Sequence, residues 1–148
     1  MRNTWFIDID GTIVKHKTNE ELDDINTMFN ENDLFDKKIQ SNNDSIGVLK
    51  EYLLDGVRDF WEKIPKEDII ILTTAREYRH KWITEEMLNA FELRYDKVIY
   101  ALGSNKRFLL NDREPDYKIH KGDKAFSFNV DRNQGLSSLT KWAFTKLE

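Results

Sequence analysis

The chain has 148 residues, 39% hydrophobic and 34% charged, against a usual charged share of about 25%; its 9 Phe, 5 Tyr and 4 Trp supply core material for one small domain, a soluble globular composition rather than a disordered one. No apolar run, the stretch Ile69 to Leu72 included, approaches the roughly 20 residues that span a bilayer, and Asp8 interrupts the N-terminus too early for a signal peptide. With 0 Cys, disulfides, thiolate metal sites and cysteine nucleophiles are excluded and a cytoplasmic location is expected; the net charge of −4 is local in origin.

Trp5 to Ile9 reads as a buried strand closed by Asp10-Gly11. Residues 16–50 form a small acidic insertion, a flap or minimal cap. Between Asn19 and Asp36 it carries seven acids and no base, leaving 20 acids against 23 bases, a net of +3, in the remainder. Leu22, Ile25 and Phe29 recur there at helical spacing, and the segment reads as inserted rather than core-forming. A mildly basic body suits a small phosphorylated ligand, and the lack of a strongly basic stripe argues against nucleic acid.

Val57, Phe60, Trp61 and Ile64 predict a short amphipathic helix ended by Pro65. Ile69 to Thr73 reads as a strand, Ile83, Met87, Ala90 and Phe91 as a second helix, and Val98 to Tyr100 as another strand. Phe108 to Leu110 and Phe126 to Val130 are further strand candidates, and Leu139, Trp142 and Ala143 predict a closing helix. Strands separated by helices point to an α/β fold, a parallel sheet flanked by helices with a small insertion after the first strand. Such sheets bind ligands at their carboxyl ends, where Asp8, Asp10, Thr74, Asn111 and Asp112 all fall.

Asp8-Ile9-Asp10-Gly11-Thr12 sets two carboxylates at one strand end, before a glycine that permits a tight turn. An EF-hand reading fails, because loop positions six and twelve would be Ile13 and Asn19. A type I′ hairpin explains Asp10-Gly11 but not Asp8. Thr74 and Glu77 satisfy a capping box, at a helix start that also favours phosphate. Lys106 alone is a loop lysine, and Asn111-Asp112 alone a polar turn.

Taken in chain order, Asp-x-Asp-Gly-Thr, strand-Thr-Ala-Arg, Lys and strand-Asn-Asp resemble the four motifs of the haloacid dehalogenase (HAD) superfamily of phosphohydrolases and phosphotransferases. The resemblance covers residues 1–15 and about 54–135, with Leu54-Asp55-Gly56-Val57 similar to the helix-opening element before motif two. Leu109-Leu110-Asn111-Asp112-Arg113 and Asn133-Gln134-Gly135 are similar to small members associated with sugar-phosphate and surface-polysaccharide metabolism. Asn111 stands where many members have Asp or Gly, and Asp116 follows in the position of a supporting acid.

The resemblance implies a HAD-like Rossmannoid sheet and a Mg²⁺-dependent phosphomonoesterase acting on a small sugar phosphate or related metabolite. Asp8 would be the nucleophile that forms an aspartyl-phosphate, and Asp10 the general acid and base. Mg²⁺ would take the Asp8 carboxylate, the Asp10 carbonyl and Asp112. Thr74 and Lys106 would hold phosphate oxygens with the Gly11 turn, and Arg76 and His16 are further candidates for substrate contact. Two negative charges about 4 Å apart cost roughly 4 kcal/mol at an effective dielectric near 20, so a carboxylate attacking phosphate needs such cations. Specificity is expected in the insertion or in a partner subunit of a homo-oligomer. The alternatives are a nucleotide or polynucleotide-end phosphatase, a phospho-accepting receiver domain, and a catalytically silent binding domain. A receiver carries its phosphorylated Asp at the end of a middle strand, and Ile69 to Thr73 ends in no acid.

Overall fold

The structure, a computed structural model, describes residues 2–31, 41–42, 44–113 and 122–147. Its centre is a three-stranded parallel sheet of order β1-β5-β6, from β1 (Thr4–Asp8), β5 (Ile69–Thr73) and β6 (Lys97–Ile99). The register pairs Asp8 with Thr73 and Thr73 with Ile99, so the three strands end in one row. Ile70 and Leu72 are fully buried, because the connecting segments carry helices that cover the sheet.

Those helices are α2 (Val57–Lys63), α3 (Lys81–Ala90) and α4 (Ser137–Thr145), the three that apolar spacing predicts. The buried faces are Val57, Phe60 and Trp61 on α2, Ile83, Met87 and Leu88 on α3, and Ala143 on α4. Each large side chain so buried contributes about 1.5–3 kcal/mol relative to exposure. Trp5 from β1 meets Phe60 at 5.7 Å and Phe144 at 5.3 Å between ring centroids, joining α2 and α4 to the sheet. At Gly135, with φ of +77°, a side chain would run into the Asp55 carbonyl, so the turn before α4 closes on the turn before α2 only with glycine there. The Leu136 N–H donates to that same carbonyl at 2.8 Å.

Asp68 fixes the start of the sheet. It accepts the Asn3 backbone N–H at 2.9 Å and the Trp5 indole N–H at 2.9 Å. Burial pushes its carboxyl up, but these hydrogen bonds outweigh that and hold it below the ordinary value of 3.8. A depressed carboxyl contributes stability above its unfolded pKa and loses it as pH falls through the folded one. Asp68→Asn is therefore expected to cost about 1 kcal/mol at neutral pH, and urea titrations of both proteins should converge as pH falls below 3.8. A gap that stays constant down to that range would contradict the account.

The excursion after β1 departs from the sequence expectation in one respect. It carries α1 (Asn19–Glu31) and a small antiparallel sheet of β2 (Ser41–Asn42), β3 (Ser45–Ile46) and β4 (Glu51–Tyr52). Rather than standing outside the core, Leu22, Ile25, Phe29, Ile46 and Leu49 are buried in the same apolar cluster as the sheet. Glu20, Glu21, Asp23 and Asp24, which make the segment look like a solvated flap, occupy the side of α1 away from Leu22, Ile25 and Phe29. Its stems meet: Val14 bridges Leu53, and the Lys15 N–H donates to the Tyr52 carbonyl at 2.9 Å.

Two further expectations are corrected. Thr74 and Glu77 form no capping box: the Thr74 hydroxyl accepts the Arg76 N–H at 3.0 Å, and the chain passes through a 3-10 turn, Tyr78–His80, before α3 begins. The reciprocal box lies at Thr18 and Glu21, ahead of α1, with bonds of 2.7 and 3.2 Å. Phe108 to Leu110 and Phe126 to Val130 are not strands. An isolated apolar triplet has no ladder partner, and the outer edge of β1 is unpaired among the described residues. Asp116 lies outside the described residues.

Candidate active site

At the end of β1 the chain makes one coiled turn, not a two-residue hairpin. The N–H groups of Thr12, Ile13 and Val14 all approach the Ile9 carbonyl, at 3.2, 3.0 and 3.3 Å, and the Gly11 N–H donates to the Val14 carbonyl at 2.7 Å. Gly11 permits this with φ of +81°, and the Arg132 side chain lies where a Cβ would point. The turn sets Asp8 and Asp10 on a cleft of about 1210 Å³ that Thr12, His16, Lys106 and Arg107 also line. The cleft continues along the open edge of β1, past Phe6 and Phe108.

Asp8 and Asp10 sit in different surroundings. The Asp8 side chain is 42% exposed; its carboxylate accepts the Thr12 hydroxyl at 3.1 Å and faces the Arg107 guanidinium at 3.6 Å. Burial of the rest of the group raises its pKa, with Thr12 and Arg107 opposing. Asp10 is gripped by Arg76, whose Nε–H donates to Oδ2 and Nη2–H to Oδ1, both at 2.8 Å. The same Nη2 group donates to Glu51 at 2.9 Å, and Nη1–H to the Thr84 hydroxyl at 3.1 Å. Arg76 is thus 1% exposed with its donors held by protein groups, an internal counter-ion as placed. Burial pulls its pKa down, but Glu51 and Asp10 outweigh that and it stays charged.

Three sequence candidates are placed differently. Thr74 is fully buried, its N–H donating to the Ile99 carbonyl at 3.0 Å, while its neighbours Thr73 and Ala75 line the cleft. Lys106 lines the cleft and is exposed, but the cation that reaches Asp8 is its neighbour Arg107. Asp112 is exposed, has its own carbonyl bonded by the Asn111 side chain at 3.1 Å, and does not line the cleft. Sequence reading missed Arg107 and Glu51. For Arg107 a signal existed, the second base of Lys106-Arg107; for Glu51, one of 27 acids, there was none.

The residues at the turn suit a hard divalent cation in part. Asp8 offers a carboxylate on the cleft, and no backbone N–H among the described residues is bonded to the Asp10 carbonyl. Mg²⁺ commonly takes one or two carboxylates and completes its shell with water and phosphate oxygens, so these two donors fit it. Among the described residues no three acids or histidines stand together as a ready metal cage.

Comparison of the chain with protein-family models, with curated proteins and with solved structures finds no match. The described elements define a small α/β fold with a three-stranded parallel sheet flanked by helices. No helix among the described residues is long and apolar enough to cross a membrane.

Proposed function

We propose that the protein is a HAD-type, Mg²⁺-dependent phosphatase that hydrolyses a small phosphomonoester, a sugar phosphate or related metabolite, through a phosphoryl group carried on Asp8. The observation that carries this reading is the contrast at the end of β1: one acid open to a cation-lined cleft, the next but one clamped beside it. In the first step an Asp8 oxygen bonds to phosphorus, the bond to the leaving oxygen breaks, and that oxygen takes a proton from water, because both Asp10 oxygens are taken up by Arg76. In the second, water attacks phosphorus, Asp10 takes its proton, and the bond to Asp8 breaks to free inorganic phosphate. Arg107 and Lys106 attract the phosphate oxygens, and Thr12 orients Asp8. The Asp8 carboxylate and the Asp10 carbonyl would hold Mg²⁺, which when bound supplies positive charge against the phosphate oxygens.

The HAD-like Rossmannoid sheet belongs to the same proposal, supported by the parallel order β1-β5-β6 with Asp8 at a strand end. A receiver domain is disfavoured, because the middle strand β5 ends in Thr73 and Asp8 stands on an edge strand of the sheet formed by the described residues.

The test is phosphate release across sugar phosphates, nucleotides and 3′-phosphorylated oligonucleotides, with Mg²⁺ and with the metal chelated. Turnover that requires Mg²⁺ and favours sugar phosphates is expected. Release confined to oligonucleotide ends and weakened by salt would indicate the polynucleotide reading. No release from any class would contradict the proposal.

A further inference from the structure

We propose that Glu51 is a positioning residue for the reaction: reaching in from the excursion, it fixes the Arg76 guanidinium so that Arg76 holds Asp10 at the cleft. This rests on the phosphatase reading for its kinetic consequence, but its geometry stands apart from it.

Glu51 lies on β4, the last strand of the excursion, and its side chain is 2% exposed. One carboxylate oxygen accepts from Arg76 Nη2 at 2.9 Å and the other meets Lys17 Nζ at 3.4 Å. With Asp10 the four groups form a charge-balanced set, two positive and two negative, drawn from three stretches of chain: the segment between β1 and α1, β4, and the segment after β5. A buried acid without such partners would be strongly destabilising.

The fork geometry explains why the third partner matters. Arginine presents its donors in one plane, and a bidentate grip on Asp10 uses the edge formed by Nε and Nη2. Asp10 alone would let that plane turn about the shared axis. Glu51 on Nη2 and Thr84 on Nη1 fix it from two further directions. Lys17 and Glu51 belong to the two stems of the excursion, so its seating is transmitted to the acid that takes the proton of the attacking water. Misplacement by about 1 Å is enough to cost on the order of 10²-fold in rate.

The experiment compares wild type with Glu51→Gln in two readouts. In ¹⁵N spectra of the guanidinium groups, the Arg76 Nε–H signal, assigned by its loss in Arg76→Lys, should be protected from solvent exchange in wild type. In Glu51→Gln that protection should drop by about 10-fold or more. With p-nitrophenyl phosphate and Mg²⁺, kcat should fall about 10- to 100-fold with KM nearly unchanged, and Glu51→Asp should recover part of the loss. Circular dichroism verifies folding; if Glu51→Gln does not fold, Glu51→Asp, which keeps the charge one methylene shorter, is read in both assays for an intermediate effect. An unchanged Arg76 signal in a folded variant, or a change in KM alone, would overturn the inference. If wild type turns over no phosphomonoester, the phosphatase reading fails, and the exchange measurement alone decides whether Glu51 holds Arg76.

Discussion

Asp8→Asn is expected to lower phosphate release by roughly 10³-fold or more while leaving the unfolding transition close to that of wild type. The amide is nearly isosteric, so the Thr12 hydroxyl keeps an oxygen to donate to and the coiled turn through Ile9 to Val14 keeps its backbone bonds. What disappears is the anionic oxygen that would bond to phosphorus. The stability cost is small because Asp8 is half exposed and its only cationic neighbour, among the described residues, is Arg107 at 3.6 Å, a pair open to solvent. Release assays run beside thermal melts separate the two effects. Turnover surviving in a folded Asp8→Asn protein would remove Asp8 from the chemistry.

The second large effect is on stability. Arg76→Met should destabilise the fold by about 3–5 kcal/mol, because it strips the charge between Asp10 and Glu51 and leaves both acids facing each other in a buried setting. Burial already raises the Glu51 pKa, with Arg76 and Lys17 opposing. Adding Glu51→Leu to Arg76→Met should return part of the loss, since an apolar side chain removes the uncompensated charge and fills similar space. Urea unfolding of the two variants measures both changes. A single variant as stable as wild type would show that the four-group network does not bear on folding.

Most of the regular structure was legible in the sequence for a simple reason. Ile69 to Thr73 and the spacing of Val57, Phe60, Trp61 and Ile64 are local patterns, and burial of those faces needs only that the elements meet somewhere. The pattern failed where the outcome depends on a distant partner. Phe108 to Leu110 looks like a strand, yet strand formation requires a neighbouring edge, which no local pattern reports. Thr74 and Glu77 had capping-box spacing, but the Thr74 hydroxyl accepts the Arg76 N–H, and the helix begins only after the 3-10 turn.

The site divides in the same way. Asp8, Asp10 and Gly11 are adjacent in sequence, so their shared turn could be anticipated. Arg76 was visible as a candidate for substrate contact, whereas its placement between Asp10 and Glu51 depends on a fold that brings residues 66 and 25 positions away to one guanidinium. Leu22, Ile25 and Phe29 carried a clear helical period, but the acids around them suggested a solvated flap. The period, not the charge, determined which face was buried.

The most direct measurement is chemical trapping of the phosphorylated enzyme. Protein incubated with p-nitrophenyl phosphate and Mg²⁺ is quenched in acid, reduced with borohydride, digested and sequenced by mass spectrometry, which converts an aspartyl-phosphate to homoserine. The account predicts homoserine at position 8 in wild type and none in Asp8→Asn. Homoserine at another acid, or undiminished turnover with position 8 left as aspartate throughout, would contradict it.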